Sequence, residues 1–221
     1  MIPARLHPFA GLRVVLPHAD GDVELRTGDL AGLVDLAAVA ARGVHGPEEM
    51  PFSVPWTDCD PDERARRTFR WHVGGWSSWT AQDWRLDFVV RRAGVVVGTQ
   101  SLEATDFGVL REVSTGSWLG REHQGRGTGS LMRAAVLHLA FDGLGASSAR
   151  SDAFLDNPRS LAVSRRLGYR DDGLARTVRR GRVVVSQRLR LDAPQWAAGE
   201  RPAVHVEGLD PVLRALLPTA P

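Results

Sequence analysis

The sequence predicts a mixed α/β domain, of the α+β kind, and three features carry that reading. Short runs alternating apolar and polar residues recur around turn residues, as hairpins do. Stretches with helical spacing separate the first hairpin from the later strands. In the middle of the chain a strand-like run passes through a cluster of glycines straight into a long helix-forming segment. With 221 residues, 43% of them apolar, the chain can build one large domain around a sizeable core.

Taken in order, "LRVVL" (12–16) and "DVELR" (22–26) flank the turn-rich "PHADG" and make an N-terminal hairpin. Thr27 is placed to cap a helix through "GDLAGLVDLAAVAAR" (28–42), whose apolar residues fall on one face. Residues 43–61 carry too much Pro and Gly for a regular element. A second helix starts at Asp60 or Asp62 and runs past Gly74–Gly75 into "WSSW". "RLDFVVRR" (85–92) and "GVVVGTQSLEA" (94–104) then form a hairpin turned at Ala93–Gly94. Next come a strand at 112–120, a helix over 126–142, a strand at 146–155, a helix at 157–168 with Pro158 in its first turn, and a closing hairpin over 169–191. The domain is read as residues 1–191, and the weakly patterned, Pro-rich residues 192–221 as a C-terminal extension packed on it.

Composition removes several chemistries. All 28 Lys+Arg positions are arginine, so neither a P-loop lysine nor a pyridoxal phosphate Schiff base is available. The single cysteine, Cys59, excludes an internal disulfide, and the seven histidines show no metal-ligand spacing; no metal is expected. Acidic residues interleave with the arginines, as in "DERARR" (62–67), which argues against a nucleic-acid face despite the net charge of +2. No apolar run is long enough to span a bilayer and no signal peptide is evident, so a cytoplasmic protein is expected.

The mid-chain glycines, "QGRGTGS" (124–130), give G-x-G-x-G and place Ser130 where a dinucleotide-binding fingerprint needs its third glycine. Two readings remain. Main-chain N–H groups free of Cβ atoms at a helix N-terminus suit a phosphate or pyrophosphate, and the same cluster can be only a tight turn between strand and helix.

"QGRGTG" (124–129) also fits Q/R-x-x-G-x-G/A, the acyl-CoA pyrophosphate loop of the GCN5-related N-acetyltransferase (GNAT) superfamily, and "DNPRSLAVSRRLGYRDDG" (156–173) resembles a second element of the same superfamily. Within it the chain looks most like the RimJ/RimL branch, and "MPFSVPWT", "GSWLG" and "MRAAVL" resemble an actinobacterial subgroup that includes succinyl-CoA-using members. The resemblance implies a central, twisted, mixed, mostly antiparallel sheet splayed between strands 4 and 5, with helices on both faces. It implies direct transfer of an acetyl group from acetyl-CoA to a primary amine in a ternary complex: a protein N-terminus, a lysine or a small amine. Succinyl-CoA is the alternative donor, a non-catalytic acyl-CoA-binding module is the alternative of another class, and a homodimer is allowed.

For individual residues the resemblance implies that the amides of Gly125, Arg126, Gly127, Thr128, Gly129 and Ser130 hold the pyrophosphate, helped by Gln124 and by the charges of Arg121 or Arg126. Trp118, Leu119 and Gly120 lie on the strand that lines the pantetheine. Asn157 hydrogen-bonds the pantetheine, with helix capping as its competing role. Many members of the superfamily protonate the departing thiolate with a tyrosine seven residues after this asparagine; here that position is Ser164, so Ser160 is taken ahead of Ser164 as the group facing the sulfur. Tyr169 is assigned to the core. Glu103, Asp106 and Glu112 are the candidate general bases, and the tryptophans at 71, 76, 79 and 84 are assigned mainly to packing.

Overall fold

The computed structural model describes residues 7–217. The N-terminal hairpin is β1 (Arg13–Leu16) and β2 (Val23–Arg26), each alternating buried and half-buried residues. Helix α1 (Leu30–Arg42) is capped by Asp29, whose side chain accepts from the Gly32 N–H, and not by Thr27. The cap moves because Gly28 turns the chain at φ 62° and the buried Thr27 hydroxyl is used by the Phe9 carbonyl. Helix α2 (Pro61–Ser78) starts at Asp60, which accepts from the Glu63 N–H at 2.9 Å, with Pro61 in its first turn.

The second hairpin is β3 (Asp83–Arg92) and β4 (Val95–Thr105). A short helix α3 (Phe107–Leu110) leads to β5 (Glu112–Leu119), and the glycine corner to α4 (Thr128–His138). The helix expected over 126–142 therefore begins two residues later, and its last turn, Leu139–Gly143, widens into a π-turn closed from the Leu144 N–H to the Leu139 carbonyl. There follow β6 (Ser148–Phe154), α5 (Pro158–Arg166), β7 (Arg170–Arg179) and β8 (Arg182–Asp192).

Beyond Asp192 the chain folds into α6 (Ala193–Ala198), a three-residue strand β9 (His205–Glu207) and α7 (Leu209–Leu216). β9 pairs with β1 at the sheet's edge, and Val212 and Leu216 of α7 enter the main core. Residues 1–6 and 218–221 of the expected units lie outside the described residues.

The result is one mixed sheet of order β7-β8-β6-β5-β4-β3-β2-β1-β9, antiparallel except for the parallel pair β5–β6. Helices cover both faces. α4 packs into the larger core with Phe88, Val90 and Leu102, whereas Leu33, Leu36 and Val39 of α1 meet Val89 and Val96 on the other side together with Phe69 and Val73 of α2. Neighbours along β3 thus serve opposite layers, as the period of two requires. In this chain's own count the splay lies between β5 and β6, because the N-terminal hairpin puts two strands ahead of the first helix.

Candidate active site

The parallel ladder of β5 and β6 holds for three pairs, Glu112↔Ser148, Val113↔Ala149 and Ser114↔Arg150, and then stops. β5 stays paired with β4 as far as Gly98↔Leu119, and β6 stays paired with β8 as far as Phe154↔Ser186, so the two strands diverge from each other alone. Gly98 permits the close approach on the β4 side, since a Cβ there would collide with the Trp118 carbonyl oxygen. The edge of β5 from Thr115 to Leu119 faces a slot with its main-chain groups free of any strand partner. An interior edge of this kind is a template for an extended, hydrogen-bonding ligand.

The slot leads to the glycine corner. Gly125 and Gly127 have φ of 74° and 76°, and a Cβ on either would meet nothing within 4 Å. Among the described residues, the N–H groups of residues 125–129 have no main-chain acceptor; that of Ser130, the last of the predicted set, turns back to the Gly127 carbonyl at 3.0 Å. The corner therefore presents consecutive free donors at the start of α4, where the helix dipole adds positive potential. Gln124 fastens it by donating from Nε2 to the Val44 and Leu119 carbonyls at 2.6 and 3.0 Å. The Thr128 side chain is buried and accepts from Arg92, so this residue faces the corner with its main chain only. Arg121 and Arg126 are exposed beside the loop, and Arg159 of α5 joins them, within 3.5 Å of the Gln124 Oε1.

Beneath the sheet, on the α4 side, Asn157 caps α5: its Oδ1 accepts from the Ser160 N–H at 3.2 Å, leaving the amide NH2 for another partner. Ser160 is half-buried, whereas Ser164 is 0% exposed and its Oγ has no hydrogen-bond partner. Tyr169 is a core residue whose hydroxyl lies 3.4 Å from the Thr115 Oγ1. Next to it is a group that sequence reasoning passed over. Arg133 of α4 is 4% exposed and reaches across the slot, donating to the Ser117 Oγ of β5 at 3.0 Å and the Ser151 Oγ of β6 at 3.2 Å, with Gln100 Oε1 at 3.5 Å. No carboxylate among the described residues bears on it, and burial pushes its guanidinium below the usual value. The signal was present as a charge inside the apolar "SLMRAAVLHLAF".

On the α1/α2 face the row Glu103↔Ser114↔Arg150 crosses three strands at the last pair before the slot opens. Burial pushes the Glu103 carboxyl above the usual range; Arg85 opposes this, and the negative charges of Asp87, Asp83 and Asp152 add to it. Asp106 lies elsewhere, whereas Glu112 lines a cavity of about 360 Å³ together with Glu103, Ser114 and Arg150. Asp106 is exposed at the far end of β4 with φ 51°, and Glu112 is held by Arg150, Arg190 and Ser148. Trp118 turns its ring to this face, where His45, Phe52, Trp56 and Trp118 form a chain with successive centroid distances of 5.9, 5.2 and 5.7 Å. Of the four tryptophans at 71–84, Trp84, Trp79 and Trp76 pack against the two cores, and Trp71 stays exposed under the Arg85 guanidinium. The aromatic loop is tied to the β7–β8 tip by Arg179 on the Met50 carbonyl and Arg180 on Asp58, and a cavity of about 230 Å³ opens among Val44, His45, Thr57, Asp58, Arg64 and Arg180.

Among the described residues there is no cluster of three metal-ligating side chains, and no helix is long and apolar enough to cross a membrane. Residues 24–170 match the family model described as "Acetyltransferase (GNAT) domain". Solved structures of similar fold include Mycobacterium smegmatis RimJ in complex with CoA-disulfide, at TM-score 0.73 and 18% identity over 95% of this chain and 96% of that one. RimL, a ribosomal-protein alpha-N-acetyltransferase in complex with coenzyme A, aligns at TM-score 0.60 and 16% identity, covering 80% and 97%. A spermidine N-acetyltransferase SpeG chimera from Vibrio cholerae and hSSAT aligns at 0.58 and 17%, covering 80% and 99%.

Proposed function

Because the chain belongs to the GNAT acetyltransferase family, we propose that it transfers an acetyl group from acetyl-CoA to a primary amine, directly, within a ternary complex. The observation that carries this reading is the continuous track from the free amides of residues 125–129, along the unpaired edge of β5, to the Glu103 row.

Each segment of the track supplies one contribution. The corner amides, with Arg121, Arg126 and Arg159 around them, hold the pyrophosphate. The edge of β5 pairs with the amides of the pantetheine arm as an added strand would, and the free NH2 of Asn157 adds a donor from α5. A main-chain N–H on the same edge polarises the thioester carbonyl and stabilises the oxyanion that forms on attack. Glu103, with its raised affinity for a proton, takes one from the incoming ammonium and passes it to solvent, freeing the nitrogen lone pair to attack, and takes the second nitrogen proton as the amide forms. The carbon–sulfur bond then breaks and sulfur leaves with the electron pair. The carboxylates of Glu103 and Asp152, neither of them in an ion pair among the described residues, favour a cationic acceptor on this face, which suits a protein N-terminus or a small amine entering past the aromatic loop.

A succinyl donor is the second reading, favoured by Arg64: its guanidinium meets only main-chain carbonyls, those of Ala40, Ala41 and Cys59, and it lines the loop cavity with charge to spare for a distal carboxylate. Two measurements decide. CoA release is followed with acetyl-CoA against N-terminal peptides, lysine and polyamines; turnover with any of them supports the reading, and tight CoA binding without turnover leaves an acyl-CoA-binding module. The thermal shift with each donor ranks acetyl against succinyl, the preferred ligand giving the larger shift at equal excess.

A further inference from the structure

A thioester acyl transfer ends with negative charge on sulfur, and the α4 side of the slot contains few groups able to meet it. Ser164 is sealed at 0% exposure, and a hydroxyl such as that of Ser160 is a weak acid at its ordinary pKa. The Tyr169 hydroxyl is buried against Thr115. Arg133 is the cation that spans the gap, at Ser117 and Ser151, three residues along β5 and one along β6 from the last ladder pair.

Its setting differs from that of the chain's carboxylate-paired arginines. Arg13, Arg85, Arg91, Arg150, Arg179 and Arg190 all pair with carboxylates. Arg133 is more deeply buried than any of these and has hydroxyl and amide oxygens for partners, which satisfy its hydrogen bonds without neutralising its charge. A buried cation without an anion costs stability, and a leucine or methionine would fill the same position on α4 without that cost. The missing anion is one that the reaction itself delivers.

We propose that Arg133 stabilises the departing CoA thiolate, holding β5 and β6 apart through Ser117 and Ser151 and lending its uncompensated charge to the sulfur that lies between them. The proposal rests on the slot holding the pantetheine. In the balanced step the amine, its ammonium proton already passed through Glu103 to solvent, forms the amide bond, the carbon–sulfur bond breaks toward sulfur, the second nitrogen proton goes to the regenerated Glu103 carboxylate, and the thiolate leaves without needing a proton from the protein. Arg133 acts by field and by placement, as a positioning residue. Across the sheet, the Glu103 and Asp152 carboxylates act on sulfur with the opposite sign, and on the α4 side burial pushes the Tyr169 hydroxyl up while its interaction with Arg133 opposes this.

The test uses CoA and the ultraviolet absorbance of its thiolate, read as a function of pH on the bound complex of the wild type, Arg133→Met and Arg133→Lys. In the wild type the bound thiol should ionise at least about tenfold more readily than free CoA. Arg133→Met should abolish that shift and lower kcat by roughly tenfold to a hundredfold, with the KM for acetyl-CoA within about threefold and the thermal midpoint retained or raised. Arg133→Lys should restore part of both. A bound thiol that titrates alike in the wild type and Arg133→Met overturns the proposal, and so does an equal loss of CoA affinity at every pH, which would make Arg133 a spacer. If Arg133→Met fails to fold, the wild-type titration alone still decides, since an unshifted thiol overturns the inference. A wild type that binds no CoA removes the proposed function and this inference together, whereas binding with an unshifted thiol removes this inference alone.

Discussion

The two ends of the β5–β6 pair are built from similar residues and behave differently. At the closed end Glu112 sits between Arg150 and Arg190, and Arg190 also reaches Asp192, so each of these four charges has a partner. At the open end Arg133 has two hydroxyls and an amide oxygen, and the strand edges have no ladder. A closed charge network fixes the register of three strands and leaves its own charges matched. A cation without an anion, next to unpaired main chain, is stable only because the surrounding packing is, and it is arranged for something that arrives. The contrast, more than any side chain alone, is what makes the open end the working region we propose.

The largest effect should come from obstructing the way into the open end. Gly127→Trp places a side chain where the fold leaves open space, at a left-handed φ of 76°. The backbone cost is about 1–2 kcal/mol, so the fold should survive, while CoA affinity should fall by at least about a hundredfold, or about 3 kcal/mol. Calorimetric titration with CoA, with circular dichroism as the folding control, checks it. Unchanged affinity would break the comparison, because the open end would then have no anionic ligand to receive.

Next in size is Glu103→Gln, expected to lower kcat by about a hundredfold, the lower end of what a positioned base contributes, with CoA affinity retained. The pH profile gives the sign. A base must be deprotonated to act, and burial raises the Glu103 carboxyl, so wild-type activity should rise with pH through a midpoint above that of an ordinary glutamate. The variant should lose that limb.

How much of this was readable beforehand depended on the range of the signal. The glycine corner, the Asn157 cap and the hairpin turn at Ala93–Gly94 are local, and their residue types announce them. Ser164 shows the limit: helical spacing places it on one stripe of α5, but its complete burial depends on how that helix docks against β6. The slot is wholly non-local, since nothing in "GSWLG" or "SDAFL" states that their ladder ends after Ser114↔Arg150. β9 has three residues, too few to show a period, and becomes a strand by pairing with β1, from the other end of the chain. Arg133 was legible as a charge within an apolar helix and needed the sheet to give it meaning.

The closed end supplies a prediction of another kind. Glu112→Gln should leave kcat/KM close to wild type, because Glu112 is engaged by two arginines and lies outside the slot, but should cost about 1–2 kcal/mol of stability through the partly unpaired guanidinium groups. At about 2–4 °C per kcal/mol for a chain of this size, a thermal melt resolves it. A large loss of activity instead would erase the distinction between the two ends and return Glu112 to the candidate bases.

The smallest effect sharpens where the acceptor enters. Arg180 and Asp58 form an exposed pair that tethers the aromatic loop to the hairpin tip. Exposed pairs contribute little to global stability, so Arg180→Ala should leave the melt unchanged. What the pair restricts is the loop carrying Phe52 and Trp56, which stands over Trp118 on the Glu103 face. A freer loop must be ordered each time an acceptor binds, which raises the acceptor KM by roughly twofold to fivefold, the scale of one lost surface contact, with the acetyl-CoA KM unaffected. A shift in the acetyl-CoA KM alone would put the loop over the donor, and the division of the open end into a donor side below the sheet and an acceptor side above it would have to be reversed.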